Sequence, residues 1–181
     1  MDLWLEEINS PVGATLLVHT STKAGEPLVA LDFADCQARM QRLLHKRFGT
    51  FSMHSWPTHS RKSEAAGRLA AYFHGDLQDL SDIPYDAGGT EFQQRVWRNL
   101  RRIAFGNTCT YGNIAARLSC PNAARAVGRS NSLNPIAIII PCHRVIGKSG
   151  RLTRYAGGLQ RKAWLLAHEK SFSRDLSSTY K

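Results

Sequence analysis

The chain has 181 residues, enough for one large domain or two small ones, and its 43% hydrophobic and 21% charged residues are ordinary for a soluble globular protein. No apolar run approaches the roughly 20 residues of a membrane span, and the acidic segment 1–7 lacks the basic start of a secretory signal. We therefore expect a cytoplasmic protein with no membrane partner. The four cysteines form no C-x-x-C pair, so neither a disulfide framework nor a metal site is predicted.

The net charge of +10 is distributed very unevenly along the chain. Residues 1–90 carry 8 Lys and Arg against 11 Asp and Glu, whereas residues 91–170 carry 14 against 2. The strongly basic second half of the chain indicates a polyanionic partner. The alternative is a basic surface that serves solubility alone.

The first half of the chain predicts a small α/β arrangement without a chemical signature. Residues 14–19 and 28–33 are predicted strands that form a hairpin with a longer loop. Apolar residues at helical spacing predict a helix over 35–48, and Ser63 is a candidate cap for a second helix over 64–74. Segment 52–60 is interpreted as connecting chain and segment 80–89 as a linker between domains.

The second half predicts mostly helices. Thr90 is expected to cap a helix from Glu91 to about Ile103. Thr110 is expected to cap a short helix over 111–118. After a three-residue break at 119–121, a further helix is predicted from 121–122 to just before Asn134. Two short helices across such a break are typical of a helix-turn-helix. The loop 147–151 stands where a wing would lie.

The last predicted helix covers residues 159–169 and is followed by a polar tail over 171–181. Apolar residues at helical spacing predict the buried faces of two helices. In the helix that begins at Glu91 they are Phe92, Val96, Leu100 and Ile103. In the last helix they are Leu159, Ala163, Leu166 and Ala167.

Residues 136–140 are apolar, mostly β-branched and bounded by two prolines, which predicts a short, buried, extended segment. Pro141 ends that segment, and a thiol, an imidazole and a guanidinium follow as Cys142, His143 and Arg144. Cationic neighbours favour the thiolate, which is the reactive form of cysteine. From these residues alone Cys142 is either a reactive nucleophile or a small buried hydrophobic residue.

The segment Pro141–Val145 resembles the active-site motif of the O6-alkylguanine-DNA alkyltransferases, the methylated-DNA–protein-cysteine methyltransferases. Further similarity to this family lies at 89–97, 110–112, 123–128, 134–136, 155–159 and 164–169. The resemblance implies a ribonuclease-H-like α/β domain at 1–85 that braces a winged helix-turn-helix-like domain at 86–170.

The resemblance also implies a reaction. An alkyl group would pass from O6 of guanine in double-stranded DNA to Cys142 after the damaged nucleotide is flipped out of the helix. Each molecule, a monomer, would act once and need no cofactor. Transfer from O4 of thymine is left open as a second activity.

Four residues besides Cys142 receive catalytic roles from the same resemblance. His143 would act as the base, with a water between it and Cys142, because adjacent side chains do not face each other in regular structure. Glu169 would orient the imidazole, as the acid does in hydrolase triads. Asn134 would hold the turn that carries Cys142, and Tyr111 would donate a proton to the guanine.

A second group of residues is assigned to DNA and to the guanine pocket. Arg125 stands alone among small residues on the presumed recognition helix and would fill the position of the flipped base. The other predicted DNA contacts are Thr110, Ala124, Ala126 and Gly128, and the predicted pocket residues are Pro141, Val145, Tyr155 and Ala156.

Three positions depart from the family pattern: Ser130, Ser132 and Arg154. Arg154 places a long cation beside the pocket and bears on how bulky an O6 group can be admitted. Two other classes of protein are alternatives. A regulator, or a damage-binding relative that lacks the reactive cysteine, is disfavoured by Cys142, and a papain-like protease by the adjacency of His143.

Overall fold

The computed structural model describes residues 1–21, 26–57 and 62–176, without the side chains of 79 and 174–176. The chain forms two compact units. Unit 1 is Met1–Gly88 with Pro135–Ala137, and unit 2 is Gly89–Asn134 with Ile138–Lys181. Within the described ranges, every helix is too short or too polar to cross a membrane.

Unit 1 contains a four-stranded mixed sheet. Its strands are β1 (Asp2–Ile8), β2 (Thr15–Thr20), β3 (Leu28–Phe33) and β4 (Ser52–Ser55), in the order β3-β2-β1-β4. The predicted β2–β3 hairpin is confirmed as an antiparallel pair, and the middle of its loop, 22–25, lies outside the described residues. Strand β4 runs parallel to β1.

Strands β1 and β4 were not predicted. In β1 the charged residue Glu6 is buried, which breaks the alternation that marks a strand in sequence. All four residues of β4 are exposed at the sheet edge, so the strand carries no apolar signal and 52–55 was wrongly interpreted as connecting chain. Residues 58–60 of that interpretation lie outside the described part.

The helices of unit 1 follow their predicted signals closely. Helix α1 covers Gln37–Phe48 and ends at Gly49, whose φ of 67° is one that favours glycine. It packs Met40 and Leu44 onto the sheet, in a core that contains Leu3, Leu16, Val18, Val29 and Ala30. Helix α2 covers Glu64–Phe73, and its first turn is capped by Ser63, whose Oγ accepts a hydrogen bond from the Ala66 amide at 3.1 Å.

The outer edge of β3 is covered by two extended segments. The Leu28 amide donates to Pro84 and the Leu28 carbonyl accepts from Asp86. The Leu31 amide donates to the Pro135 carbonyl, and the Leu31 carbonyl accepts from the Ala137 amide, both at 2.9 Å. Pairing of this kind leaves no free strand edge there, and it explains why residues 135–137 belong to unit 1.

Unit 2 is mostly helical. Its elements are α3 (Glu91–Arg101), β5 (Cys109–Thr110), α4 (Tyr111–Arg117), α5 (Ala124–Ser132), β6 (Val145–Ile146) and α6 (Leu159–Leu176). The predicted caps are confirmed: Thr90 forms a capping box with Gln93, and Thr110 accepts from the Asn113 amide. Strands β5 and β6 are parallel, with Cys109 opposite Val145.

Three boundaries in unit 2 differ from the prediction. Helix α3 ends at Arg101, not Ile103. The break between α4 and α5 covers six residues, 118–123, because Pro121 and Asn122 form a turn before α5 begins. Helix α6 continues to Leu176, into the predicted tail, and 177–181 lie outside the described residues.

Both predicted buried faces need correction. Trp97 is buried in α3, where its indole N–H donates to the Ser130 carbonyl at 2.9 Å, and Phe92 is only half-buried. In α6 the predicted face is wrong, since Leu159 is 48% exposed and Ala163 and Ala167 are exposed. Among the described side chains of α6, those of Lys162, Leu165, His168 and Glu169 are buried. Glu169 pairs with His143 and Arg144, and Lys162 donates to two carbonyls, partners that hydrophobic spacing cannot reveal.

Candidate active site around Cys142

The segment before Cys142 is buried as predicted, but only its first residue, Ile136, pairs with a strand as extended chain does. Residues 137–139 form turns, and Ile138 has a φ of 67°. A β-branched residue rarely adopts this left-handed conformation, which costs about 1–3 kcal/mol. The surrounding core holds Ile138 in place, since its side chain is 1% exposed. The backbone strain therefore lies four residues before the thiol.

Pro141 turns the chain directly into Cys142. Its φ of −80° and ψ of 64° are those of an inverse γ-turn, which suits the fixed φ of proline. The Cys142 amide donates to the Ile140 carbonyl at 2.7 Å. The same carbonyl accepts from Nδ2 of the buried Asn134 at 2.8 Å. Asn134 thus holds the turn that presents Cys142 at the start of a single 3₁₀ turn, Cys142–Arg144.

Glu169 is fully buried on α6 and binds both residues that follow Cys142. Its Oε1 accepts from Nε2 of His143 at 2.8 Å, and the same oxygen accepts from Nη2 of Arg144 at 2.9 Å. Its Oε2 accepts from Nε of Arg144 at 2.8 Å. Burial alone would raise the pKa of this carboxyl, but His143 and Arg144 outweigh it and hold the pKa well below its usual range.

Arg144 is a member of this network that the sequence marks only as a cationic neighbour of Cys142. Its guanidinium forms a bidentate ion pair with the Glu169 carboxylate and donates a further hydrogen bond to the Ile103 carbonyl. It also lies over the ring of Phe105, with Cζ 4.2 Å from the ring centre. A permanent cation thus compensates the buried carboxylate, so His143 does not have to be charged.

The hydrogen bond to Glu169 fixes the tautomer of His143. Because a carboxylate only accepts, Nε2 carries the proton and Nδ1 keeps its lone pair. Nδ1 is buried and makes no hydrogen bond within the described part of the chain. Burial lowers the pKa of His143, and the charges of Arg144 and Lys162 act in the same direction, against Glu169. The imidazole is therefore a neutral base with its acceptor nitrogen available.

Lys162 is a second charged residue that the sequence did not point to. It is fully buried, and its Nζ donates to the carbonyls of Val145 at 2.5 Å and Thr153 at 3.1 Å. Burial lowers its pKa, and a thiolate at Cys142 would oppose that shift. An ammonium group therefore lies within electrostatic reach of the thiol and favours the thiolate.

Tyr111 begins α4, directly after β5. The Tyr111 ring lies beside Gly128 of α5, where an added Cβ would be 3.7 Å from it, an ordinary van der Waals contact. The Tyr111 hydroxyl is 3.0 Å from Oγ1 of Thr153. The parallel pairing of β5 with β6 explains this contact, because the chain leaves both strands at the same end.

The remaining predicted residues lie in two places. Pro141 and Val145 are buried beside Cys142 in sequence, Tyr155 is half-buried and Ala156 is exposed. On α5, Arg125 and Ala126 are exposed, and Ala124 and Gly128 are half-buried. The Thr110 hydroxyl caps α4, accepting from the Asn113 amide at 3.1 Å. In the portion of the chain that the structure describes, no three His, Cys, Asp or Glu side chains are grouped so that they could hold a metal ion.

The site around Cys142 combines its thiol with a neutral imidazole, His143, which the Glu169 carboxylate orients. Two buried cations, Arg144 and Lys162, complete it. This is the composition of a nucleophilic cysteine site. The family model of the 6-O-methylguanine DNA methyltransferase DNA-binding domain matches residues 91–171. The Salmonella typhimurium methylated-DNA–protein-cysteine methyltransferase is 43% identical over 166 residues, 91% of this chain and 94% of its own length.

Solved structures give the same result. The Mycobacterium tuberculosis O6-methylguanine methyltransferase superposes with a TM-score of 0.75 at 40% identity, covering 93% of each chain. The M. tuberculosis protein in complex with DNA gives a TM-score of 0.73 at 40% identity, covering 95% of this chain and 94% of the other. The chain belongs to the methylated-DNA–protein-cysteine methyltransferase family.

The buried neutral state of His143 predicts how stability depends on pH. The unfolded chain takes up a proton at this residue near pH 6.5, whereas the folded chain does so only at lower pH. The free energy of unfolding should therefore fall on acidification through pH 6.5, by up to about 1.4 kcal/mol per pH unit from this residue. Urea unfolding of His143→Gln between pH 7.5 and 5.5 should show a correspondingly smaller slope.

The matched control for this measurement is His45→Gln, because His45 is exposed on α1. It should keep the wild-type slope. Parallel curves for wild type and His143→Gln would mean that His143 is not held neutral by the fold.

Proposed function

We propose that this chain repairs double-stranded DNA by transferring an alkyl group from O6 of guanine to Sγ of Cys142. The observation that carries the proposal is the buried network of His143, Arg144 and Glu169 behind a cysteine that opens a single turn. A structural cysteine has no need of such a network, because a buried ion pair gives little net stability. Relatives named for this activity support the same assignment.

The first step is the formation of the thiolate. Nδ1 of His143 accepts the thiol proton through a bridging water, and Glu169 stabilises the resulting imidazolium through Nε2. The Lys162 ammonium stabilises the negative charge on Cys142. Charge is thereby separated inside a buried site whose cations and carboxylate are already in place.

The second step is displacement at the alkyl carbon. The thiolate forms the new S–C bond, the C–O6 bond breaks, and its electron pair passes to the guanine. The anionic base then requires a proton, which Tyr111 supplies from its hydroxyl at the start of α4. The thioether on Cys142 is a poor leaving group, so each molecule acts once, as a monomer and without a cofactor.

The target atom lies inside the base stack, so the nucleotide must be flipped out before transfer. We assign α4 and α5 to a helix-turn-helix, with the loop 147–151 as its wing and unit 1 as a ribonuclease-H-like domain. Arg125 is exposed near the start of α5, between Ala124 and Ala126, and fills the vacated position in the duplex. Phosphate contacts come from the other basic residues of unit 2.

The nucleophile is tested with DNA that carries a labelled methyl group on O6 of guanine. Wild-type protein should acquire one label on the peptide that contains Cys142, and Cys142→Ser should bind DNA and acquire none. The control is Cys120→Ser, since Cys120 is partly buried in the break between α4 and α5 and has no part in the network. Label on the Cys142→Ser protein would overturn the assignment of the nucleophile.

Glu169→Gln keeps the shape of the side chain but removes its charge. The transfer rate should fall about 10-fold or more, because the imidazolium loses its carboxylate. The matched control is Glu91→Gln, the other acid between residues 91 and 170, which is exposed on α3. Rates are measured in single turnover on protein shown by circular dichroism to be folded. A wild-type rate for Glu169→Gln would remove Glu169 from the mechanism.

The role of Arg125 is tested with Arg125→Lys and Arg125→Ala. If Arg125 fills the gap left by the flipped base, both changes should slow repair of duplex DNA far more than they weaken binding, and they should spare transfer from free O6-methylguanine. Arg129→Ala, an exposed arginine one turn further along α5, is the control. It should lower the salt dependence of binding by about one charge at most.

If the Arg125 variants lose transfer activity equally on free O6-methylguanine and on duplex DNA, their defect lies in the guanine pocket. That result would refute the gap-filling role. A simple phosphate contact would instead leave Arg125→Lys close to wild type in both assays.

A further inference from the structure

We infer that Thr153 is a positioning residue that holds the Tyr111 hydroxyl and sets the direction in which it donates its proton. The inference rests on the proposed function, in which Tyr111 protonates the departing guanine. Its basis is the 3.0 Å separation between the Tyr111 hydroxyl and Oγ1 of Thr153, two side chains 42 residues apart in sequence. Both side chains are half-buried.

Thr153 is itself held from two other directions. Its carbonyl accepts from Nζ of Lys162 at 3.1 Å, and the same ammonium donates to the Val145 carbonyl. Its methyl group Cγ2 lies against Gly147, where an added Cβ would approach it to 3.0 Å. The backbone and the methyl group are thus both fixed, so Oγ1 has little freedom to leave Tyr111.

The ring of Tyr111 lies beside Gly128 on α5. Its phenolic O–H rotates about the C–O bond, so the direction of the hydrogen depends on the partner of the oxygen. Two hydroxyls at this distance can be arranged in either direction. When Thr153 donates to the Tyr111 oxygen, the Tyr111 hydrogen is directed away from Thr153 and is available to the base.

Donation by Thr153 has a second consequence. A hydrogen bond to the phenolic oxygen stabilises the negative charge that develops as Tyr111 gives up its proton. Thr153 therefore assists the step in which the guanine is released, and it does so through the Tyr111 hydroxyl. Thr153→Val removes the hydroxyl and keeps the methyl group, whereas Thr153→Ser keeps the hydroxyl and removes the methyl group.

The test measures single-turnover transfer from duplex O6-methylguanine DNA. Thr153→Val should be about 3- to 10-fold slower than wild type, the effect of one neutral hydrogen bond, and Thr153→Ser should remain within about twofold of wild type. In a Tyr111→Phe background Thr153→Val should cause no further loss, because its effect passes through the Tyr111 hydroxyl. The control is Thr15→Val in unit 1, which removes a buried threonine hydroxyl bonded to the Gly13 carbonyl.

Three results would overturn the inference while leaving the proposed function intact. They are a wild-type rate for Thr153→Val, an equal loss for Thr153→Ser and Thr153→Val, and an undiminished loss for Thr153→Val in the Tyr111→Phe background. Absence of label transfer by the wild-type protein would overturn the proposed function and this inference together. If Thr153→Val does not fold, Thr153→Ala in both backgrounds gives the same comparison.

Discussion

The carboxylate of Glu169 is the constraint around which unit 2 is arranged. A buried carboxylate is tolerated only when it is paired and hydrogen-bonded, and here His143 and Arg144 meet both requirements through adjacent positions of one 3₁₀ turn. The permanent charge of Arg144 compensates the carboxylate, which leaves His143 neutral. The hydrogen bond to Glu169 fixes the His143 proton on Nε2. The same contacts turn α6 so that it buries charged residues and exposes Leu159.

A second constraint is the short parallel pairing of β5 with β6. Each strand has only two residues, but together they determine which segments meet. The chain enters β6 from Cys142–Arg144, and it leaves β5 into Tyr111. Lys162 then fixes the chain on either side of the loop after β6, through the carbonyls of Val145 and Thr153. Residues that are far apart in sequence, Tyr111 and Thr153 among them, are therefore brought together by backbone hydrogen bonds and a single ammonium group.

The fold could be predicted wherever the signal was local. Thr90, Thr110 and Ser63 are predictable as caps because each is a hydroxyl residue directly before a helical pattern, and in the structure each accepts from an amide three residues further on. Strand β4 could not be predicted, because an exposed edge strand needs no alternating apolar residues and so leaves no hydrophobic pattern in the sequence. Ile138 was assigned to an extended segment because sequence carries no sign that a core will hold a β-branched residue in a left-handed conformation.

The sequence by itself determined the candidates for the nucleophile, the base and the acid, because the segments Pro141–Val145 and 164–169 resemble the motifs of the family without coordinates. It also determined the basic character of the second half. Only the tertiary structure decided that Arg144 neutralises Glu169, that Lys162 is buried near Cys142 and that Thr153 meets Tyr111. The physical reason is that burying a charge or a hydroxyl depends on a partner supplied by a distant part of the chain, and no local pattern in sequence records that partner.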